Sequence, residues 1–237
     1  MKIFVTSDTH GQFEGLEEKF QDCDVICFAG DIAPTKGFGK WHVYDQKKWT
    51  VKKFNVWAQK YPEKHFVFTP GNHDFFPIGQ QMFGNIGHDW NCDFAANVHM
   101  LIDREVVIDG IRFYGSPWVP IISYRWAFEA EHDVLHEKFS KIPEKVDVLL
   151  THSPPHLSTE EPIDRSLQNG GYEAFGSNEL TQAIYAKSPR YAFCGHIHSG
   201  LHDRIVVSST ECYNVSRVDE RYEIAYEPVI INIDHQA

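Results

Sequence analysis

The sequence predicts an α/β protein whose strands form a mixed sheet. Three observations carry that expectation. Short apolar runs, rich in Val, Ile and Phe and stopped by Gly or Pro, recur between segments of helical pattern. After residue 200 the alternation gives way to successive strand-like runs with little helix between them, which does not suit a uniformly parallel sheet. Several earlier runs are followed within a few residues by a carboxylate, an amide or an imidazole. Open α/β sheets gather their ligands at such carboxyl ends of strands.

Taken in order, Ile3-Phe4-Val5 leads into Asp8-Thr9-His10, and Val25 to Phe28 leads into Gly30-Asp31. Between them Phe13 to Phe20, rich in Glu and Lys, fits a short surface helix. Trp49 to Tyr61 places Val51, Phe54 and Ala58 on one helical face and stops before Pro62. Phe66 to Phe68 leads into Gly71-Asn72-His73-Asp74. Glu129 to Phe139 groups Val134, Leu135 and Phe139, and Val148 to Leu150 leads into His152. The Pro-, Gly- and Ser-rich span from Thr151 to Ser177 reads as a surface loop or as the border of a site, and its start at His152 favours the border. Ser177 suits the cap of a helix with Leu180, Ala183 and Ile184 in one stripe and Glu179 near its positive end. Ala192 to Cys194 leads into Gly195-His196-Ile197-His198. Arg204 to Ser208, Glu211 to Asn214 and Val229 to Ile233 are the late strands.

Composition sets the bounds. With 237 residues and 42% hydrophobic content, the chain can bury a core as one domain over residues 1–237. It contains no run of roughly 18 apolar residues, so no membrane span is expected, and no secretion leader is apparent. Five cysteines, an odd number without a C-x-x-C pair, suit reduced thiols and a cytoplasmic setting. A net charge of −11 without a basic block disfavours long nucleic acid as a partner. A small phosphate ester stays open, because bound cations would reverse the local charge. Fourteen histidines make metal binding the chemistry to examine first.

Asp8 and His10 are two apart and can point into one cavity after a strand. Asp31 offers two oxygens, enough for two cations, and Asn72 a neutral amide oxygen. His152, His196 and His198 offer imidazoles, acceptable to Zn, Mn, Fe or Co. Glycines directly before Asp31, Asn72 and His196 let the chain turn sharply. Each piece alone is an ordinary turn; together, each after its own strand, they point to a metal-dependent hydrolase.

In these motifs the chain resembles the calcineurin-like metallophosphoesterase superfamily, whose pattern is D-x-H, G-D, G-N-H-[DE], an isolated H and G-H-x-H. All occur in order, from Asp8-Thr9-His10 to Gly195-His196-Ile197-His198. Gly115-Ser116-Pro117-Trp118, Thr151-His152-Ser153-Pro154-Pro155 and Glu227 to Ile231 narrow the resemblance to the metallophosphoesterase-domain-containing (MPPED-like) branch. The resemblance implies a four-layer α-β-β-α sandwich of two mixed sheets flanked by helices. It implies two divalent metal ions (Mn, Fe, Zn or Co, with Mn favoured for activity), one on Asp8, His10, Asp31 and His198, the other on Asp31, Asn72, His152 and His196. His73 matches a catalytic histidine outside the ligand set, with Asp74 orienting its ring. A metal pair would clamp a phosphate and lower the pKa of a shared water for in-line attack, and His73 would assist the leaving alkoxide.

Protein phosphatases of this superfamily carry arginines after G-D and before G-N-H-E; here Ile32-Ala33-Pro34 and Pro70 stand there. The expected reaction is therefore hydrolysis of small phosphodiesters, cyclic nucleotides among them. Phosphomonoesterase action and a non-catalytic scaffold are the alternatives, the latter disfavoured by the full ligand set. The expected partner is a small phosphate-ester substrate, without a membrane, and a homodimer is left open. Trp118, Tyr124 and Arg125 could wall a pocket or pack a loop. His156 and His202 lie near ligand segments, whereas His42, His65, His88, His99, His132 and His136 carry no motif.

Overall fold

A computed structural model of the chain describes residues 1–35, 40–78, 93–157, 163–166 and 173–234. The first sheet contains β1 (Lys2–Thr6), β2 (Val25–Ala29), β3 (His65–Thr69), β4 (Val98–Met100) and β13 (Val229–Asn232), in the order β13-β1-β2-β3-β4. The second contains β5 (Arg104–Ile108), β6 (Ile111–Ser116), β9 (Val148–Thr151), β10 (Tyr191–Cys194), β11 (Ile205–Val207) and β12 (Thr210–Asn214), in the order β11-β12-β10-β9-β6-β5. Both are mixed. β1 to β4 are parallel with β13 antiparallel at the edge, and β12, β10, β9 and β6 are parallel between antiparallel β11 and β5. A small parallel pair, β7 (Val119–Pro120) and β8 (Glu129–Ala130), lies apart.

Side-chain alternation along the strands builds the layers. Ile3, Val5, Val25, Cys27 and Val67 of the first sheet pack against Phe113, Val148, Leu150 and Phe193 of the second. The opposite faces of the same strands send Phe4, Ile26, Phe28, Phe66 and Phe68 toward Leu16, Phe54 and Ala58. Those three lie on α1 (Leu16–Lys19), a π-helical turn at Thr50–Phe54 and α3 (Asn55–Ala58). Across the molecule Leu149, Ala192 and Cys194 pack with Leu135 and Phe139 of α4 (His132–Ser140) and Leu180, Ala183 and Ile184 of α5 (Asn178–Lys187). The chain thus forms the four-layer sandwich that its motifs imply. Burial on both faces explains why the central strands read as continuous apolar runs.

Two expectations are corrected, and one hairpin is added. The helix expected from Trp49 begins earlier, as α2 (Lys40–Trp49), and continues through the π turn into α3. Its hidden inward residue is polar: Gln46 is buried, donating to the His73 carbonyl at 2.6 Å and accepting from Phe75 N–H at 2.8 Å. Val134 is exposed rather than packed beside Leu135 and Phe139. The β5–β6 hairpin lies outside the expected elements; its turn is Asp109-Gly110, both at positive φ, a strong hairpin signal. Cys23, Cys27, Cys194 and Cys212 are buried, while Cys92 lies outside the described residues. Among the described residues no helix is long and apolar enough to cross a membrane.

Candidate metal centre

The parallel strands bring the donors together. Asp8 and His10 follow β1, Asp31 follows β2, and Asn72 and His73 follow β3 in one sheet. His152 follows β9, and His196 and His198 follow β10, in the other. Beyond the strands the first two loops stay paired, with Asp8 N–H donating to Gly30 O at 3.0 Å and His10 N–H to Asp31 O at 2.9 Å. Asp8 (φ 51°), His10 (φ 46°), Asp31 (φ 52°) and His196 (φ 71°) occupy the left-handed region. Such backbone costs about 1–3 kcal/mol per residue and clusters at functional sites. The preceding glycines serve two purposes. Gly30 has φ 102°, and a Cβ there would fall on the His152 ring. At Gly71 and Gly195 the need is space, because Asp31, and Ser7 with Asp8, occupy the place of a Cβ.

The shortest contacts among the donors run between the sheets. His198 Nε2 lies 3.3 Å from Asp8 Oδ1, and His152 Nε2 lies 3.4 Å from Asp31 Oδ2. Asn72 Oδ1 is met by His152 Nε2 at 2.8 Å and His196 Nδ1 at 2.9 Å. Within the first sheet, His10 Nε2 and His73 Nε2 are each 4.0 Å from Asp31 Oδ2. Three overlapping groups emerge: Asp8, His10 and His198; Asp8, Asp31 and His152; His10, Asp31 and His73. The donor atoms within each lie inside 4.8 Å of one another. Their rings are oriented from behind. His152 Nδ1 faces the Ala29 carbonyl at 3.0 Å and His198 Nδ1 the Asp219 carbonyl at 2.9 Å, which fixes those nitrogens as donors. Ser216, which no motif marked, donates its hydroxyl to Asp8 Oδ2 at 2.8 Å.

These residues fit a divalent metal. Among the described residues both ring nitrogens of His10 are buried without a hydrogen-bond partner, an arrangement that normally costs free energy. Carboxylates, an amide oxygen and imidazoles form a donor set suited to Zn, Mn, Fe or Co. Burial alone would raise Asp8 and Asp31, but the surrounding histidines outweigh it and hold both well below the usual carboxylate range. Burial pulls His10 down to about 4 and, with the His152 charge, His196 to about 3. At His152 and His198 burial is overcome by Asp31 and Asp8 respectively, raising each to about 9. Both rings thus hold a proton more firmly than a free imidazole, and a bound metal would displace it.

His73 sits at the edge of this cluster. Its N–H donates to Asp31 Oδ1 at 2.8 Å, and its ring contacts Trp126 at 4.3 Å and His10 at 5.2 Å between centroids. Burial lowers its pKa despite the Asp31 charge. Asp74 does not orient the His73 ring. Its two oxygens instead accept backbone N–H groups of Gly71, Ile32 and Ala33, clamping the loops after β3 and β2 together. Asp74→Ala should therefore leave buried amides unpaired and destabilise the fold by on the order of 3 kcal/mol or more. Urea unfolding measures it, and a loss below a few tenths would show that the clamp is dispensable.

The remaining aromatic and histidine expectations resolve differently. Trp118 donates to Asp103 Oδ2 at 2.8 Å and packs on Phe128, so it braces a loop. Tyr124 is exposed and bonded to Glu131, and Arg125 is exposed. The aromatic residues at the centre are Trp126 and Tyr222, neither of which the motifs marked; Tyr222 lies 4.8 Å from His10 and 5.4 Å from His198. His202 Nε2 contacts the His198 carbonyl at 2.8 Å, and His156 pairs with buried Asp164 at 2.8 Å. His65 and His99 contact each other at 3.0 Å, His132 pairs with Glu179, and His136 is exposed. His88 and the His42 side chain lie outside the described residues. The span from Thr151 to Ser177 is described in part; Ser166 there contacts Ser199 beside His198 at 3.3 Å, which places it at the border of the centre.

Two mixed sheets with carboxylate, amide and imidazole donors at their common edge define the metal-dependent phosphoesterases as a class. The chain belongs to the calcineurin-like phosphoesterases, whose family model matches residues 1–200. It is 29% identical to human "Metallophosphoesterase domain-containing protein 1", over 98% of this chain and 71% of the relative. It is 27% identical to a UPF0046 protein of Caenorhabditis elegans, over 98% of this chain and 81% of the relative. The narrower MPPED-like resemblance is borne out. Among solved structures, TT1561 of Thermus thermophilus superposes with a TM-score of 0.57 at 14% identity, covering 96% of this chain and 97% of that one. Phosphopantetheinyl Hydrolase (PptH) of Mycobacterium tuberculosis gives 0.55 at 13% identity, covering 93% and 90%. These two share the fold.

Proposed function

We propose that the protein hydrolyses small phosphodiesters, cyclic nucleotides among them, with two divalent cations at this centre. Asp8, His10, Asp31 and His198 would hold one, and Asp31, Asn72, His152 and His196 the other. The observation that carries the reading is the convergence of these donors around a His10 ring whose nitrogens have no hydrogen-bond partner among the described residues. When bound, the cations supply Lewis-acid polarisation of the phosphoryl group and an acidified water. The chain supplies orientation, through the carbonyls of Ala29 and Asp219 behind two of the rings. His73 Nε2, at the rim, moves a proton to the leaving oxygen.

Diester preference rests on charge. Among the described residues, the hydrogen bonds and ion pairs of these donor side chains involve no arginine or lysine. A dianionic monoester would be neutralised by the cations alone, whereas a monoanionic diester asks for less. We favour manganese for activity, and the buried thiols of Cys23, Cys27 and Cys194 support a reducing compartment such as the cytoplasm. The test compares kcat/KM for bis(4-nitrophenyl) phosphate, 4-nitrophenyl phosphate and cyclic AMP with Mn²⁺ supplied. Both diesters should exceed the monoester. The opposite order would favour a phosphomonoesterase, and no turnover of any would favour a scaffold.

A further inference from the structure

We propose that Tyr222 and Trp126 form a subsite for a flat aromatic substituent of the ester, a specificity element beside the metal centre. The inference rests on the phosphoesterase reading and extends it to the chemistry of the group attached to phosphate. Tyr222 contacts His10 and His198 and lies 6.2 Å from His73, while Trp126 packs on His73 at 4.3 Å. The side of the centre where a leaving group would meet His73 is therefore walled by two aromatic rings.

Both rings are delivered by backbone bonds to the centre itself. Ala127 N–H donates to the Asn72 carbonyl at 3.0 Å, and Glu129 accepts from Trp126 N–H at 2.9 Å, which folds the loop around that carboxylate. On the other side the Asp219 carbonyl accepts from both His198 Nδ1 and Tyr222 N–H, at 2.9 Å each. Asp219 Oδ1 accepts from Arg221 and Glu223 N–H, and Gln12 Nε2 donates to the Tyr222 carbonyl at 3.1 Å. The turn holds Tyr222 at φ 63°. A bulky side chain is rare there and strained.

A ring retained only to fill the core would be buried. Tyr222 is 41% exposed, yet it is strained and tied to His198. Part of the residue stays accessible although its ring meets His10 and His198. Aromatic faces accept other planar rings by stacking with little regard to their substituents, so the favoured ligand is an aryl or heteroaryl ester rather than an alkyl one.

The test uses Mn²⁺-loaded protein and two phosphonates whose P–C bonds resist hydrolysis, phenylphosphonate and methylphosphonate, titrated by calorimetry. Phenylphosphonate should bind roughly tenfold more tightly, the scale of one stacking contact. Tyr222→Leu should bring the two affinities together while leaving methylphosphonate binding near wild type, and Tyr222→Phe should keep the difference. Equal affinities in the wild type, a difference that survives Tyr222→Leu, or parallel loss of both ligands in that variant would overturn the subsite. So would loss of the difference in Tyr222→Phe, which would assign the effect to the hydroxyl. Failure of diester turnover would sink the proposed reaction and leave this ratio unaffected, so the two failures are distinguishable.

Discussion

Asp31→Asn should lose one of the two proposed cations and reduce turnover on the order of a thousandfold or more, the scale of several kcal/mol of metal-derived stabilisation. The substitution is unusually clean. Asn tolerates the left-handed backbone that Asp31 adopts at φ 52°. Its amide oxygen can still accept the His73 N–H that now meets Oδ1 at 2.8 Å. What disappears is a buried negative charge, set 3.4 Å from His152 Nε2 and 4.0 Å from the rings of His10 and His73. Elemental analysis after saturating metal supply reads the result. A variant that keeps both cations, or a wild-type protein that binds only one, would refute Asp31 as the bridge.

His73→Asn should act on turnover and spare metal content. A proton-transfer group is typically worth ~10²–10⁴-fold, and the loss should be largest for poor leaving groups such as alkyl esters, which need that proton most. The geometry makes the experiment necessary, because His73 Nε2 is as far from Asp31 Oδ2 as His10 Nε2 is. His10, His73 and Asp31 also form one of the three donor groups. If the variant released metal, His73 would be a ligand. If alkyl and nitrophenyl esters suffered equally, its role in leaving-group protonation would be wrong.

The donors were legible because each follows its own strand within a short motif, and parallel strands then deliver them to one edge. The residues that support them were not. Gln46 reads as a polar surface residue of a lysine-rich helix, although it is buried against the loop after β3. Ser216 and Tyr222 lie in a segment with no strand or helix pattern; Ser216 is placed by a bridge to Ser7, and Tyr222 by a turn hooked to His198. The resemblance implies that Asp74 orients the His73 ring, whereas the tight turn sends its carboxylate to backbone amides. The β5–β6 hairpin was overlooked at the half-exposed edge of its sheet, where burial does not impose a continuous apolar run.

The contacts between the sheets carry one more consequence. Asp8 with His198, Asp31 with His152, and Asn72 with His152 and His196 each join a residue of one sheet to a residue of the other. Cations held there would act as a clasp across the seam of the sandwich. They would add to the carboxylate, amide and imidazole contacts that already join that end of the seam. Loading the centre then also fastens the architecture, because any ligand that binds only the folded chain shifts its unfolding equilibrium by RT ln(1 + [L]/Kd). Metal supply would govern how long the protein lasts as well as how fast it works.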